Sequence, residues 1–220
     1  MNTTTQVSNR TLFFEATIGR SAAAASGGAA AIVLAILGLA GIYPMFMLAV
    51  ATLAIGVTFL FKGAAAVADF AKALKHTRTG NLQEIEFGGG MSAEILAGGA
   101  GIVLGILTLL SVVPLALSAC ALLVFGGGLL MSSGVTHRLN QVKIATSSAD
   151  DTAQRIAEEA TAAANGAQVL TAIGAVVFGI LSLVGLAPVT LTLIGLLSIG
   201  AVTTLTGSAI GAKMVHMFNA

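Results

Sequence analysis

The sequence predicts an all-α integral membrane fold: six transmembrane helices, arranged as three tandem helical hairpins in a pseudo-threefold relation. Three observations lead there. Only 9% of the 220 residues are charged and the mean hydropathy is +0.98, whereas a soluble domain carries about 25% charged residues. So few charges cannot coat a water-facing surface, so six helices buried in a large soluble core are excluded. Second, one apolar phrase recurs: LAILGLAGIYP at 34–44, LGILTLLSVVP at 104–114 and FGILSLVGLAP at 178–188, each ending on one of the 3 prolines. Third, all 10 Lys and Arg fall outside the segments around those prolines.

Aligned on Pro44, Pro114 and Pro188, the copies are 70 and 74 residues apart, the mark of a repeated supersecondary unit. Ile36, Ile106 and Ile180 stand eight before the proline, Leu37, Leu107 and Leu181 seven before, and Leu39, Leu109 and Leu183 five before. Leu53, Leu123 and Leu197 stand nine after it, and Gly56, Gly126 and Gly200 twelve after.

A spanning helix needs about 20 residues to cross about 30 Å of hydrocarbon. The hairpins are therefore placed at about 25–63, 95–134 and 169–208, with spans at 25–42, 45–63, 95–112, 115–134, 169–186 and 189–208. Proline cannot extend the helix before it, yet it suits the first position of the helix after it. The turns GIYPMF, SVVPLA and GLAPVT carry no charge, which keeps open shallower, re-entrant hairpins that shape one leaflet. SAAAASGGAAA near the N-terminus contains small-residue cleavage patterns. It belongs to the first copy, so it is expected to be retained.

Ahead of the first hairpin, TLFFEATIGR within 8–20 fits an interfacial helix, with Phe13 and Phe14 dipping in and Arg10, Glu15 and Arg20 staying wet. The linkers 64–90 and 135–165 read as helices that prolong the spans. Asp69–Lys72, Asp151–Arg155 and Arg155–Glu159 have helix-stabilising spacings, and GGGMSAE at 88–94 reads as a flexible lead-in to the third span. Every cation lies on the side shared by these linkers and both termini. The positive-inside rule then makes that side cytoplasmic, in a membrane expected to be the bacterial inner membrane.

Small residues recur every four positions in the first helix of each hairpin: Gly27, Ala31, Ala35; Ala97, Gly101, Gly105; Thr171, Ala175, Gly179. Such stripes let helices approach closely in lipid, and Gly101–Gly105 is a GxxxG pair. Gly56, Gly126 and Gly200 are expected to serve the second helices in the same way.

Chemistry is sparse. Glu94 sits at the lip of the third span, where its repeat counterparts are Ala24 and Gln168. It reads as a solvated carboxylate at a helix start, or as a proton or cation mouth. Lys62 ends the second span as a snorkelling anchor; its counterparts are Ser132 and Thr206. His76, His137 and His216 are unequally spaced from the prolines, and the single Cys120 offers neither disulfide nor thiolate cluster. No catalytic residue, metal ligand or cofactor loop is found, so no enzyme and no cofactor are expected, and a net charge of +1 gives no field for nucleic acid.

The hairpin pattern, carried by GIVLGILTLLSVVPLALSACALLVFGGGLLMSSG at 101–134 and its two copies, resembles the HdeD-like acid-resistance membrane proteins. That resemblance implies a small bacterial inner-membrane protein of six spans and brings no catalytic residues. The sequence departs from the pattern in lacking Trp and in its long polar linkers. The expected function is a non-enzymatic structural, stress-related or complex-assembly role. The rivals are a channel or small carrier for a neutral or weakly polar solute, and a membrane-shaping hairpin protein. The partners expected are the lipid bilayer and either further copies of the chain or a larger membrane complex.

Overall fold

The structure is a computed structural model. It describes the backbone over 25–76, 83–146 and 152–218, and side chains over 25–64, 93–133, 163 and 166–206. The described backbone is helical apart from the three turns. Helix α1 covers Ala25–Leu39, α2 Pro44–His76, α3 Gln83–Leu109, α4 Pro114–Thr146, α5 Thr152–Leu183 and α6 Pro188–Phe218. Four stretches are long and apolar enough to cross a membrane: Pro44–Ala64, Pro114–Ser133, Gly166–Leu183 and Pro188–Thr206. Ala25–Leu39 and Ala93–Leu109 are shorter apolar helices. The interfacial segment 8–20 lies outside the described residues.

The three turns are closed by the same hydrogen bonds. In the first, the Gly41 N–H donates to the Gly38 carbonyl and the Ile42 N–H to that of Leu37, both at 3.1 Å. Ser111→Thr108 and Val112→Leu107 repeat this in the second, Gly185→Ser182 and Leu186→Leu181 in the third. This is the Schellman arrangement, which uses up the last carbonyls of a helix and needs a left-handed residue just past its end. That residue is Gly41 (φ 84°), Ser111 (φ 61°) or Gly185 (φ 93°). The first helices therefore end at Leu39, Leu109 and Leu183, three residues short of the expected span ends at 42, 112 and 186. The reason is local: once the C-terminal carbonyls are satisfied, the chain turns at once. Each proline then opens the next helix, and the residue before it accepts the first helical bond, as when the Met47 N–H donates to Tyr43.

The GGG at 88–90 lies inside α3 and is not a flexible lead-in. Flanking helix supplies the nucleus, and propagation through a glycine costs only about 1 kcal/mol.

Helices α2, α4 and α6 touch one another at the centre. Helix α3 packs against both α2 and α4, and α5 against both α4 and α6. Helix α1 meets α2 through Gly27, beside Thr58, and α6 through Gly28, beside Gly200 and Thr204. The first helices thus sit in the grooves between the second helices. α2 packs on α3 of the next hairpin at least as extensively as α3 packs on its own partner α4.

The central axis is filled. Phe59, Phe125, Leu129, Ile55, Leu122, Leu196 and Ile199 have no exposed surface, and the Phe59 and Phe125 rings meet edge-on at 5.2 Å, a favoured aromatic geometry. The outer faces of the first helices are apolar. Val33, Ile36, Val103, Ile106, Val177 and Ile180 are all exposed, as expected of helix faces turned to lipid. The isoleucines that recur eight before each proline therefore face outward.

Candidate functional site

The glycines define the joints between helices. A Cβ built on Gly56 of α2 would come within 3.0 Å of the Gly98 carbonyl and the Ile102 nitrogen of α3. One on Gly126 of α4 would meet the Ala172 carbonyl and Val176 of α5 at 2.9 Å and 2.8 Å. One on Gly200 of α6 would meet the Gly28 carbonyl at 2.9 Å and Ile32 of α1 at 3.1 Å. Ala172 and Gly28 stand sixteen before their prolines, and Ile102, Val176 and Ile32 stand twelve before. The same pairs of positions meet at every joint.

Beside these joints, Gly105 lies under Leu53 and Gly179 under Leu123. A Cβ built on Gly101 would run into the Phe125 ring and come 3.4 Å from Gly56 Cα. Ala97 is contacted from Gly128, and Gly27 from Thr58. Ala31, Ala35, Ala97 and Ala175 are buried in the common core. The stripe on each first helix is therefore a seam shared between two neighbours, not a single pairing face. Thr171 and Ala175 also border a shallow groove of about 210 Å³ with Leu170, Gly174, Phe178 and Ser198.

The one ion pair among the described residues stands at the end of the bundle away from the prolines. Lys62 Nζ lies 3.7 Å from Glu94 Oε1 and 5.7 Å from the centroid of the Phe59 ring. Glu94 is only 7% exposed, so it is not a solvated carboxylate at a lip. Lys62 does not snorkel outward; it turns in toward Glu94. The close approach of α2 and α3, with Gly63 against Ile95 and Gly98 against Leu60, brings the two side chains together.

One joint further on, Gln168 Nε2 of α5 donates to Ser132 Oγ of α4 at 3.0 Å. Gln168 and Ser132 occupy the repeat positions of Glu94 and Lys62. The third member of the second-helix set, Thr206, donates to the Val202 and Thr203 carbonyls of its own helix. Its sequence counterpart, Ala24, lies outside the described residues. The equivalence of positions was legible in the sequence; their pairing across the joint was not, because it joins residues 32 and 36 apart through helix packing.

Other polar groups are satisfied locally. Thr52 donates to the Leu48 carbonyl, Thr58 to Ala54, Ser198 to Ile194, Thr203 to Ile199 and Thr204 to Gly200. Near the third turn, Ser182 and Thr192 both donate to the Pro188 carbonyl. Cys120 is a free, half-buried thiol. Among the described residues there is no group of three His, Cys, Asp or Glu able to hold a metal. The side chains of His76, His137 and His216 lie outside the described residues.

The length and apolar character of these helices are those of a multi-pass, integral membrane protein. The chain matches no family model, no curated protein and no solved structure.

Proposed function

We propose that the protein is a non-enzymatic membrane scaffold: three hairpins closed into a cyclic, pseudo-threefold bundle of six spans. Both termini and both linkers lie on the cytoplasmic side, and the working surfaces are the lipid-facing first helices and the helical ends beyond the membrane. The role is structural, stress-related or complex-assembling, and the hairpin motifs suggest an HdeD-like protein of the bacterial inner membrane. One observation carries this reading. The axis on which a conduit would lie is occupied by fully buried side chains of α2, α4 and α6, while apolar side chains are displayed outward. The hydroxyls that would line a hydrated path instead donate to their own helix backbones.

Mass measurement after extraction in mild detergent tests the proposal. A defined assembly, with a second protein or with further copies, is the expected result. Solute flux above background in proteoliposomes of the purified chain would overturn it in favour of a channel or carrier.

A further inference from the structure

The glycine joints use the same positions at every interface, so they do not say which hairpin stands beside which. Three hairpins with a donating face on the second helix and a receiving face on the first can close in two circular orders. In one, the first hairpin donates to the second, the second to the third, and the third to the first. In the other, the first donates to the third and the sense is reversed. Both orders preserve every glycine joint.

The polar pairs do discriminate. In the observed order Lys62 meets Glu94 at 3.7 Å and Gln168 meets Ser132 at 3.0 Å. In the reversed order Lys62 would face the neutral Gln168, and Glu94 would face Thr206, whose hydroxyl is bonded to its own helix. Two largely buried charges would lose their partners. Leaving a buried charge unpaired is among the costlier faults in a protein, and apolar surroundings make it a means of rejecting a wrong neighbour.

Resting on the three-hairpin reading above, we propose that the Lys62–Glu94 pair sets the circular order of the hairpins, with Ser132–Gln168 as its neutral counterpart. Both members are specificity-determining residues for an interface within the chain. The same rule applies between chains: a hairpin from a second copy is accepted at the α2 face only if it presents Glu94.

The test uses the full chain with Cys120→Ser and spin-label pairs at exposed positions flanking the charges, Phe61 and Leu96 in one sample, Phe61 and Leu170 in another. With otherwise native residues the Phe61–Leu96 distance is the shorter; if it is not, the three-hairpin arrangement itself fails. The crossed variant Glu94→Gln with Gln168→Glu keeps the charge composition but moves the acid onto the third hairpin. It is expected to lose the short Phe61–Leu96 population and to gain a short Phe61–Leu170 one, or not to fold. A transplanted variant (Lys62→Ser, Glu94→Gln, Ser132→Lys, Gln168→Glu) places the ion pair at the α4–α5 joint, and it is expected to fold with the native distances. If the crossed variant folds with native distances, chain connection sets the order and the proposal is wrong. Failure of the transplanted variant to fold also overturns it.

Discussion

Lys62 of α2 and Glu94 of α3 face each other at 3.7 Å across the joint between the first and second hairpins. At that distance the contact is an ion pair without a direct hydrogen bond. Its energetic weight lies in what happens when one partner goes. Glu94→Gln or Lys62→Met alone is expected to destabilise the bundle by about 3 kcal/mol, because each leaves a buried charge uncompensated. The double variant Lys62→Met with Glu94→Leu is expected to recover most of that loss, since apolar replacement of a buried pair is often close to neutral. Unfolding in mixed micelles by titrated denaturing detergent, read as a double-mutant cycle, gives both numbers.

The turns offer a second test. Ser111 holds the left-handed conformation that Gly41 and Gly185 hold at the equivalent corners. A side chain in that region costs about 1 kcal/mol or a little more. Ser111→Gly is therefore expected to stabilise the protein by about 1 kcal/mol, and Gly41→Ala or Gly185→Ala to destabilise it by a similar amount. Midpoints of thermal unfolding in a single detergent rank the three.

Glycines divide into two groups by what surrounds them. Gly126→Ala would drive a methyl to 2.9 Å from the Ala172 carbonyl, whereas Gly99 and Gly127 have nothing within 4 Å. Overpacking of the first kind is expected to cost about 2 kcal/mol. Gly99→Ala and Gly127→Ala are expected to be neutral or stabilising, because alanine is the better helix former. Gly101→Ala is a special case: its obstacle is the Phe125 ring, so adding Phe125→Leu is expected to restore part of the loss. Resistance of the folded protein to denaturing detergent separates the groups.

The reach of the hairpins is decided by labelling. Tyr43 is exposed at 78%, and Val113 is likewise exposed. Cysteines placed at 43, 113 and 187 in a Cys120→Ser background are expected to react with an impermeant maleimide from the side opposite the termini in intact cells. Reaction only from the side of the termini would mean re-entrant hairpins.

Much of the architecture was legible because it is written locally. Proline cannot extend the helix before it and suits the first position of the helix after it, and a run of about 20 apolar residues without charge satisfies its backbone in lipid as a helix. The hairpin pattern and the starts of α2, α4 and α6 follow from these rules. The helices α1, α3 and α5 end three residues before the expected span ends because Schellman closure, at Gly41, Ser111 and Gly185, stops a helix while the sequence is still apolar; at Ser111 no glycine marks the stop. The stripes of small residues stood out by their four-residue spacing, but the spacing does not say whether such a face serves one neighbour or two.

By itself, the sequence determined that this chain is a set of lipid-compatible helices, paired at three prolines, with no charge near the proline turns. Periodicity and composition act over a few residues, so they survive in a linear reading. The tertiary structure alone decided that each first helix is wedged between two second helices, that the repeated isoleucines face outward, and that Lys62 closes on Glu94. Those outcomes depend on which helices pack so closely at Gly56, Gly126 and Gly200 that a Cβ there would come within about 3 Å of the facing backbone, a property of surfaces in contact and not of any one segment.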